Sequence, residues 1–256
     1  MIGIFDSGMG GLTVLEKAID FLPNEDFVYF GDSKNAPYGI KSKEKVIDLS
    51  DKICKIFIKE YHVKAIVIAC NTATSAAAEI LREKYNIPII GMEPAIKPAI
   101  ENNNGGKIIV LATEMTLKEK KFNDLIKKFS YDNTIIKKPC TKLVEIVENI
   151  EFDKFTLNLT IDDCLENIDN IESIVLGCTH FVFIKDFLEK KFDNNIKIYD
   201  GNDGTILNLK KILENDGLLN NNNSKGKIII INSAEKEILE KSKKLFDDYI
   251  KGNLYE

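Results

Sequence analysis

The stretch AIVIACNTAT, residues 65–74, decides how the chain is read. Ala65–Ala69 is a continuous apolar run of the kind that forms a strand covered on both faces. Cys70 follows, and then Asn71, Thr72 and Thr74 supply capping types ahead of the helix-forming run SAAAEIL. The same order of events recurs in SIVLGCTHFV, residues 173–182: strand, small residue, Cys178, a polar pair, helix. The two cysteines lie 178 − 70 = 108 residues apart. The opening strand repeats as well, because IGIFDSGMG (2–10) aligns with IIVLATEMT (108–116) at an offset of 106. Two features recurring at nearly one offset predict two similar α/β halves.

Around these anchors, short Val/Ile runs at 2–5, 27–30, 65–69, 87–90, 108–111, 174–176, 196–199 and 227–231 alternate with helical patterns. The helical patterns cover 12–21, 42–60, 74–85, 117–129, 143–150, 154–167, 184–192, 206–215 and 235–249. Alternation of this kind predicts an α/β architecture with mostly parallel sheets. Asn-rich patches at 102–106 and 220–223 read as surface loops and as composition bias.

Composition narrows the function. The chain has 256 residues, 44% apolar and 29% charged, with a net charge of −5, which gives no case for nucleic acid or an anionic membrane as partner. Its apolar runs fall well short of the roughly 20 residues of a membrane span, and the first residues lack the features of a signal peptide. Five widely spaced cysteines without a CxxC predict reduced thiols in a cytoplasmic setting, with neither a disulfide framework nor a zinc site. Cys54, Cys140 and Cys164 read as small buried hydrophobes. Two histidines, His62 and His180, exclude a His-rich metal site. Arg82 is the only arginine beside 34 lysines, so an anionic ligand must be held mostly by backbone N–H groups, hydroxyls, amides or lysine.

Both repeated cysteines sit where a strand ends and a helix begins. That is the ligand-binding end of an open α/β sheet, and the helix start favours thiolate. Two thiols facing one ligand from opposite sides suit removal of a proton from one face of a carbon and its return to the other. No cofactor is then needed, provided that pointed N–H groups stabilise the carbanion charge. The glycine loop after the first strand, GIFDSGMGGL (3–12), is no dinucleotide fingerprint: Gly8 and Gly10 are followed by Thr13 where GxGxxG needs glycine. No GxxxxGK[ST] occurs, FDSG lacks the second Asp of aspartyl-nucleophile phosphatases, and Asp6 would repel phosphate. The loop reads as one wall of an amino-acid site, in which Asp6 faces the substrate ammonium or Cys70 and Ser7 offers a hydroxyl.

Six ordered motifs carry a family resemblance: FDSGMGG (5–11), GDSKNAPYG (31–39), ACNTAT (69–74), GMEPA (91–95), ATEMT (112–116) and GCTHF (177–181). LVE (143–145) is a weaker seventh. With these the chain resembles the glutamate racemases of the cofactor-independent aspartate/glutamate racemase family. The resemblance implies two pseudo-symmetric α/β domains, 1–96 plus 205–256 and 97–204, with the active site in the cleft between them. It implies interconversion of L- and D-glutamate without cofactor or metal, supply of D-glutamate for peptidoglycan, and a cytoplasmic homodimer. Carried over by motif, Cys70 deprotonates D-glutamate and Cys178 L-glutamate. Asp6 assists Cys70, His180 assists Cys178, and Glu145 is the further acid–base residue. Substrate contacts map to Asp6, Ser7, Pro37, Tyr38, Gly39, Asn71, Thr72, Thr113, Thr116, Thr179 and His180. Asp32 reads equally as a turn residue. The chain departs from the family at Phe181-Val182-Phe183, where Tyr-Pro-Leu is frequent. An aspartate racemase and a one-cysteine decarboxylase are the alternatives within the superfamily; two cysteines oppose the decarboxylase.

Overall fold

The computed structural model describes residues 1–118, 120–128, 134–150, 152–222 and 224–255. The chain opens with β1 (Ile2–Asp6), α1 (Leu12–Phe21), β2 (Phe27–Gly31), α2 (Lys43–Glu60), β3 (Ala65–Ile68), α3 (Asn71–Lys84), β4 (Ile89–Gly91) and α4 (Ile96–Glu101). There follow β5 (Lys107–Ala112), α5 (Glu114–Lys118), α6 (Lys120–Lys128), β6 (Ile135–Pro139), α7 (Thr141–Asn149), α8 (Lys154–Leu165), β7 (Ile171–Gly177), α9 (Thr179–Val182), α10 (Lys185–Lys191) and β8 (Lys197–Asp200). The last elements are α11 (Asn202–Asn215), β9 (Ile228–Asn232) and α12 (Lys236–Lys251). Two 3₁₀ turns, 33–35 and 38–40, lie between β2 and α2.

The strands form two all-parallel sheets. Read in one direction they are ordered β9-β2-β1-β3-β4 and β6-β5-β7-β8. Without the edge strand β9 the two orders are the same, with β1 and β3 taking the places of β5 and β7. The repeat legible in the sequence is therefore a repeat of topology. Registers that pair Phe5 with Ile68 and Ala112 with Gly177 bring the chain after β1 beside the chain after β3, and the chain after β5 beside the chain after β7.

Parallel strands have both faces covered, which is why these segments are apolar throughout rather than alternating. One apolar cluster joins the inner faces of both sheets through residues such as Ile4, Leu15, Val67, Leu111, Ile174 and Leu209. The outer face of the first sheet packs on α2 and α3 through Phe57, Ile66 and Leu81, and that of the second on α4–α6 through Ile96, Val110 and Phe122. Among the described residues no helix is long and apolar enough to cross a membrane.

Three expectations need adjustment. The helix read over 117–129 is divided between α5 and α6, and Phe129 lies outside the described residues. Strand β6 carries Lys137, Lys138 and Pro139, too polar for the apolar-run criterion, and it is an edge strand where such residues are tolerated. Finally, Cys140 and Cys164 are joined in a disulfide rather than reduced. Cys140 immediately precedes α7, and Cys164 is the penultimate residue of α8. Packing of these two helices brings the Cα atoms to 6.2 Å, within bridging range, although 24 residues separate them in sequence. Cys54, Cys70 and Cys178 are free thiols.

The segment before β9 is held by a buried carboxylate. Glu25, 3% exposed, accepts from Lys64 Nζ at 2.8 Å and from the Asn220 N–H at 2.7 Å. Asn220 also donates its side-chain amide to Asn24 O at 2.8 Å, so the first residue of the second Asn patch is structural. Removing one partner of a buried pair leaves the others desolvated and unpaired. Glu25→Ala should therefore lower the unfolding free energy by about 3 kcal/mol, measured by denaturant titration. A loss below about 1 kcal/mol would contradict this role.

Candidate active site

The carboxyl ends of both sheets face one cavity of about 340 Å³. Its walls come from both halves: Ser7, Tyr38, Gly39, Cys70, Asn71 and Thr72 from the first, and Thr113, Thr141, Val144, Cys178, Thr179 and His180 from the second.

Cys70 is the N-cap residue of α3. Its Sγ accepts the Ala73 N–H at 3.4 Å, using an orphan donor of the helix start, and lies 3.5 Å from Ser7 Oγ. Burial pushes the Cys70 thiol up to about 12, the nearby Asp6 charge adds to that, and Ser7 and the Ala73 N–H oppose it. Cys70 is thus a thiol at neutral pH.

Cys178 stands in the equivalent place before α9, in different company. His180 Nδ1 is 3.6 Å from Cys178 Sγ, and Nε2 is 2.6 Å from Glu148 Oε1. Burial works to lower the His180 pKa, but its bonds to Cys178 and Glu148 outweigh burial and hold it well above 6.5. Burial likewise works to raise Glu148, and the His180 contact together with the Met9 N–H holds it below the usual carboxylate value. The result is an imidazolium held between a carboxylate and a sulfur.

The glycine loop finds its explanation here. Glu148 Oε1 also accepts the Met9 N–H at 2.6 Å, and Ser33 Oγ donates to Oε2 at 3.4 Å. A Cβ on Gly8 would come within 2.0 Å of Glu148 Oε1, and one on Gly10 within 2.4 Å of His180 Nδ1. These glycines let the backbone of one half approach the charged pair of the other. Tyr29 Oη fixes the same loop by donating to Gly8 O at 2.6 Å.

Other expected site residues are placed as follows. Asp6 is fully buried behind the cavity wall, where Oδ2 accepts the Gly11 N–H at 2.9 Å and Thr179 Oγ1 lies 3.4 Å from both oxygens. Its charge reaches Cys70, but the hydroxyl against that sulfur belongs to Ser7. Thr72 Oγ1 meets Thr113 Oγ1 across the cleft at 3.0 Å, and Thr116 stands behind Thr113 at 3.1 Å. Pro37, Tyr38 and Gly39 line the cavity, and Tyr38 Oη donates to the buried Asp32 Oδ2 at 2.6 Å. Asp32 thereby anchors the 3₁₀ segment from behind, beyond a turn role.

Glu145 is not brought into the site. It is exposed, on the side of α7 opposite the stripe Leu143, Val144, Ile146 and Val147, whereas Glu148 flanks that stripe. The spacing could have revealed this: Glu148 is one helical turn beyond Val144, which lines the cavity. Ile40, Lys41, Glu114, Thr141, Val144 and Gly177 also line the cavity, outside the motif positions carried over.

The family model described as Asp/Glu/hydantoin racemase matches residues 12–207. The glutamate racemase of Clostridium novyi (strain NT) is 51% identical over 249 residues, covering 95% of this chain and 96% of the relative. Among solved structures, glutamate racemase isoform RacE1 of Bacillus anthracis superposes with a TM-score of 0.84 at 29% identity, covering 98% of this chain and 94% of the other. The Escherichia coli glutamate racemase, solved with L-glutamate and the activator UDP-MurNAc-ala, gives 0.85 at 27% identity and covers 97% and 94%.

The charged pair has a pH signature. Glu148 has a lowered pKa in the folded state, so its contribution is present above the unfolded value of about 4.5 and is lost as pH falls through the folded value. His180 has a raised one, so its contribution is complete below about 6.5 and is lost as pH rises through the folded value. Glu148→Gln should cost about 2 kcal/mol at pH 6, with the deficit shrinking as His180 deprotonates, while Glu145→Gln stays within about 0.5 kcal/mol. Denaturant titrations across pH check this; equal effects at the two positions, or a deficit that widens with pH, would contradict it.

Proposed function

This chain belongs to the Asp/Glu/hydantoin racemase family and is an amino-acid racemase, and we propose that it interconverts L- and D-glutamate with one cysteine on each face of Cα. One observation carries the reading: two sulfurs at equivalent strand ends of the two halves, Cys70 and Cys178, line a single cavity. Glutamate as substrate is supported by the relatives' names at about half identity over nearly the whole chain. The halves are taken as domains 1–96 with 205–256 and 97–204, each supplying one cysteine.

In the L-to-D direction the Cys178 thiolate removes the Cα proton. The C–H electron pair delocalises into the α-carboxylate, and the Cys70 thiol delivers its own proton to the opposite face. Cys178 ends as thiol and Cys70 as thiolate, and the reverse reaction starts from there. The weak acidity of Cα–H demands donors aimed at the developing charge, and the Thr72 and Thr113 hydroxyls with the start of α3 supply them. Among the described residues Asn71 Oδ1 is buried without a partner, and Asn71 lines the cavity, an acceptor suited to the substrate ammonium. Glu148 and His180 hold the Cys178 proton balance; Ser7 and the Ala73 N–H favour the Cys70 thiolate once it forms. The product would supply D-glutamate for peptidoglycan synthesis in the cytoplasm.

Incubation with L-glutamate in deuterated water, without added pyridoxal phosphate, should give D-glutamate carrying deuterium at Cα. Cys70→Ala and Cys178→Ala should each lower net racemisation by about 10²–10⁴-fold, read by circular dichroism. Full activity in either variant would sink the two-base mechanism.

A further inference from the structure

The Cys140–Cys164 bridge lies beside the site, and the proton transfers make no use of it. Cys140 follows β6, which pairs Pro139 with Ala112 at the cavity end of the second sheet. Its N–H donates to Ala112 O at 3.4 Å, and it is the N-cap residue of α7. The first turns of α7 give Thr141 and Val144 to the cavity wall. Glu148, 148 − 140 = 8 residues on from the bridge, holds His180 at 2.6 Å. Cys70, the N-cap residue of α3, uses its sulfur to accept the Ala73 N–H. The Cys140 sulfur makes no such cap and is bonded instead to Cys164. The start of α7 is therefore held by a covalent bond to α8, where the start of α3 is held by a cap.

Two observations make this bridge a site of chemistry. A chain of 256 residues with a core this continuous buries enough apolar surface to fold without a staple. The same chain carries Cys70 and Cys178 as free thiols on the cavity wall, and the two-base reaction needs both unoxidised. Surroundings that keep those thiols reduced also act on the bridge, whose Cys164 end is partly exposed while Cys140 is buried. Resting on the two-thiol reading of the reaction, we propose that Cys140–Cys164 is a reversible redox site, opened by dithiol reductants, that sets how firmly α7 holds the cavity wall and Glu148. A thiolate of the reductant attacks Cys164 Sγ to form a mixed disulfide, and Cys140 leaves with the S–S electron pair and takes up a proton. The second thiol of the reductant then displaces Cys164. Two electrons pass to the bridge, the two thiol protons of the reductant end on Cys140 and Cys164 by way of solvent, and the reductant ends as its own disulfide. A disulfide oxidant runs the exchange backwards. Opening releases the first turn of α7, so Thr141, Val144 and Glu148 lose the fixed base from which they reach the cavity and His180.

The full chain is poised in mixtures of dithiothreitol and its cyclic disulfide. Free thiols are counted by alkylation and mass spectrometry, and kcat/KM for L-glutamate and deuterium exchange of the α7 amides are measured in the same buffers. The bridged chain should show three free thiols, Cys54, Cys70 and Cys178, and the opened chain all five. Opening should speed α7 exchange at least about threefold and lower kcat/KM about fivefold, with exchange in α2 unchanged. The double variant Cys140→Ser, Cys164→Ser should match the opened form in every buffer. A wild type whose bridge opens with either α7 exchange or kcat/KM unchanged overturns the proposal, as does a bridge that opens only on unfolding. A double variant that still loses kcat/KM between buffers places the response at Cys70 or Cys178 and overturns it too. A wild type that racemises glutamate in neither state overturns the reading of the reaction instead, and the thiol count with α7 exchange then decides on the bridge alone.

Discussion

One carboxylate bonds to both halves of this site. Glu148, from α7 of the second half, accepts from His180 Nε2 and the Met9 N–H at 2.6 Å each, and from Ser33 at 3.4 Å. The last two partners lie on the loops after β1 and β2 of the first half. An interaction of a half-buried carboxylate with one imidazolium and one backbone N–H is strong because both partners are fixed and water is largely excluded. The absence of side chains at Gly8 and Gly10, the charge on His180 and the environment of Cys178 all follow from it.

The repeated topology explains the placement of the two sulfurs, and their different neighbours explain their difference. Equivalent strand ends bring Cys70 and Cys178, one from each half, to the lining of one cavity without a dedicated scaffold for either. The surroundings then break the symmetry. Asp6, the last residue of β1, aligns with Ala112 at the end of β5, so the first half carries a carboxylate where the second half has none. An imidazolium lies beside the Cys178 sulfur. A resting enzyme with one thiol and one thiolate is what a two-base inversion requires, because two thiols cannot start it and two thiolates cannot finish it.

Much of this was legible in the chain. The β1/β5 and β3/β7 echoes gave the two parallel sheets because buried strands must be apolar throughout, and strand–Cys–polar–helix is a local pattern. The sites that escaped depend on facing across the cleft. Glu148 belongs to none of the family motifs, and only its place one turn beyond Val144 on α7 marks it. The Cys140–Cys164 bridge depends on two helices packing, which a spacing of 24 residues does not encode. Asp6 was legible as a site residue but not as one set behind the wall, since only tertiary packing turns it toward Gly11 and Thr179. The reason for the glycine loop, room for a carboxylate and an imidazole from the other half, needs the fold.

The central claim is that the Glu148–His180 pair sets Cys178 apart from Cys70, whose thiol burial pushes up to about 12. Cys70 and Cys178 are similarly buried, at 5% and 8% exposure, so their reactivity reports ionisation rather than access. Alkylation by iodoacetamide at pH 7.5, followed residue by residue by mass spectrometry, measures it directly. Cys178 should be modified at least about tenfold faster than Cys70, with the buried Cys54 slowest. Equal rates, or faster modification of Cys70, would contradict the account.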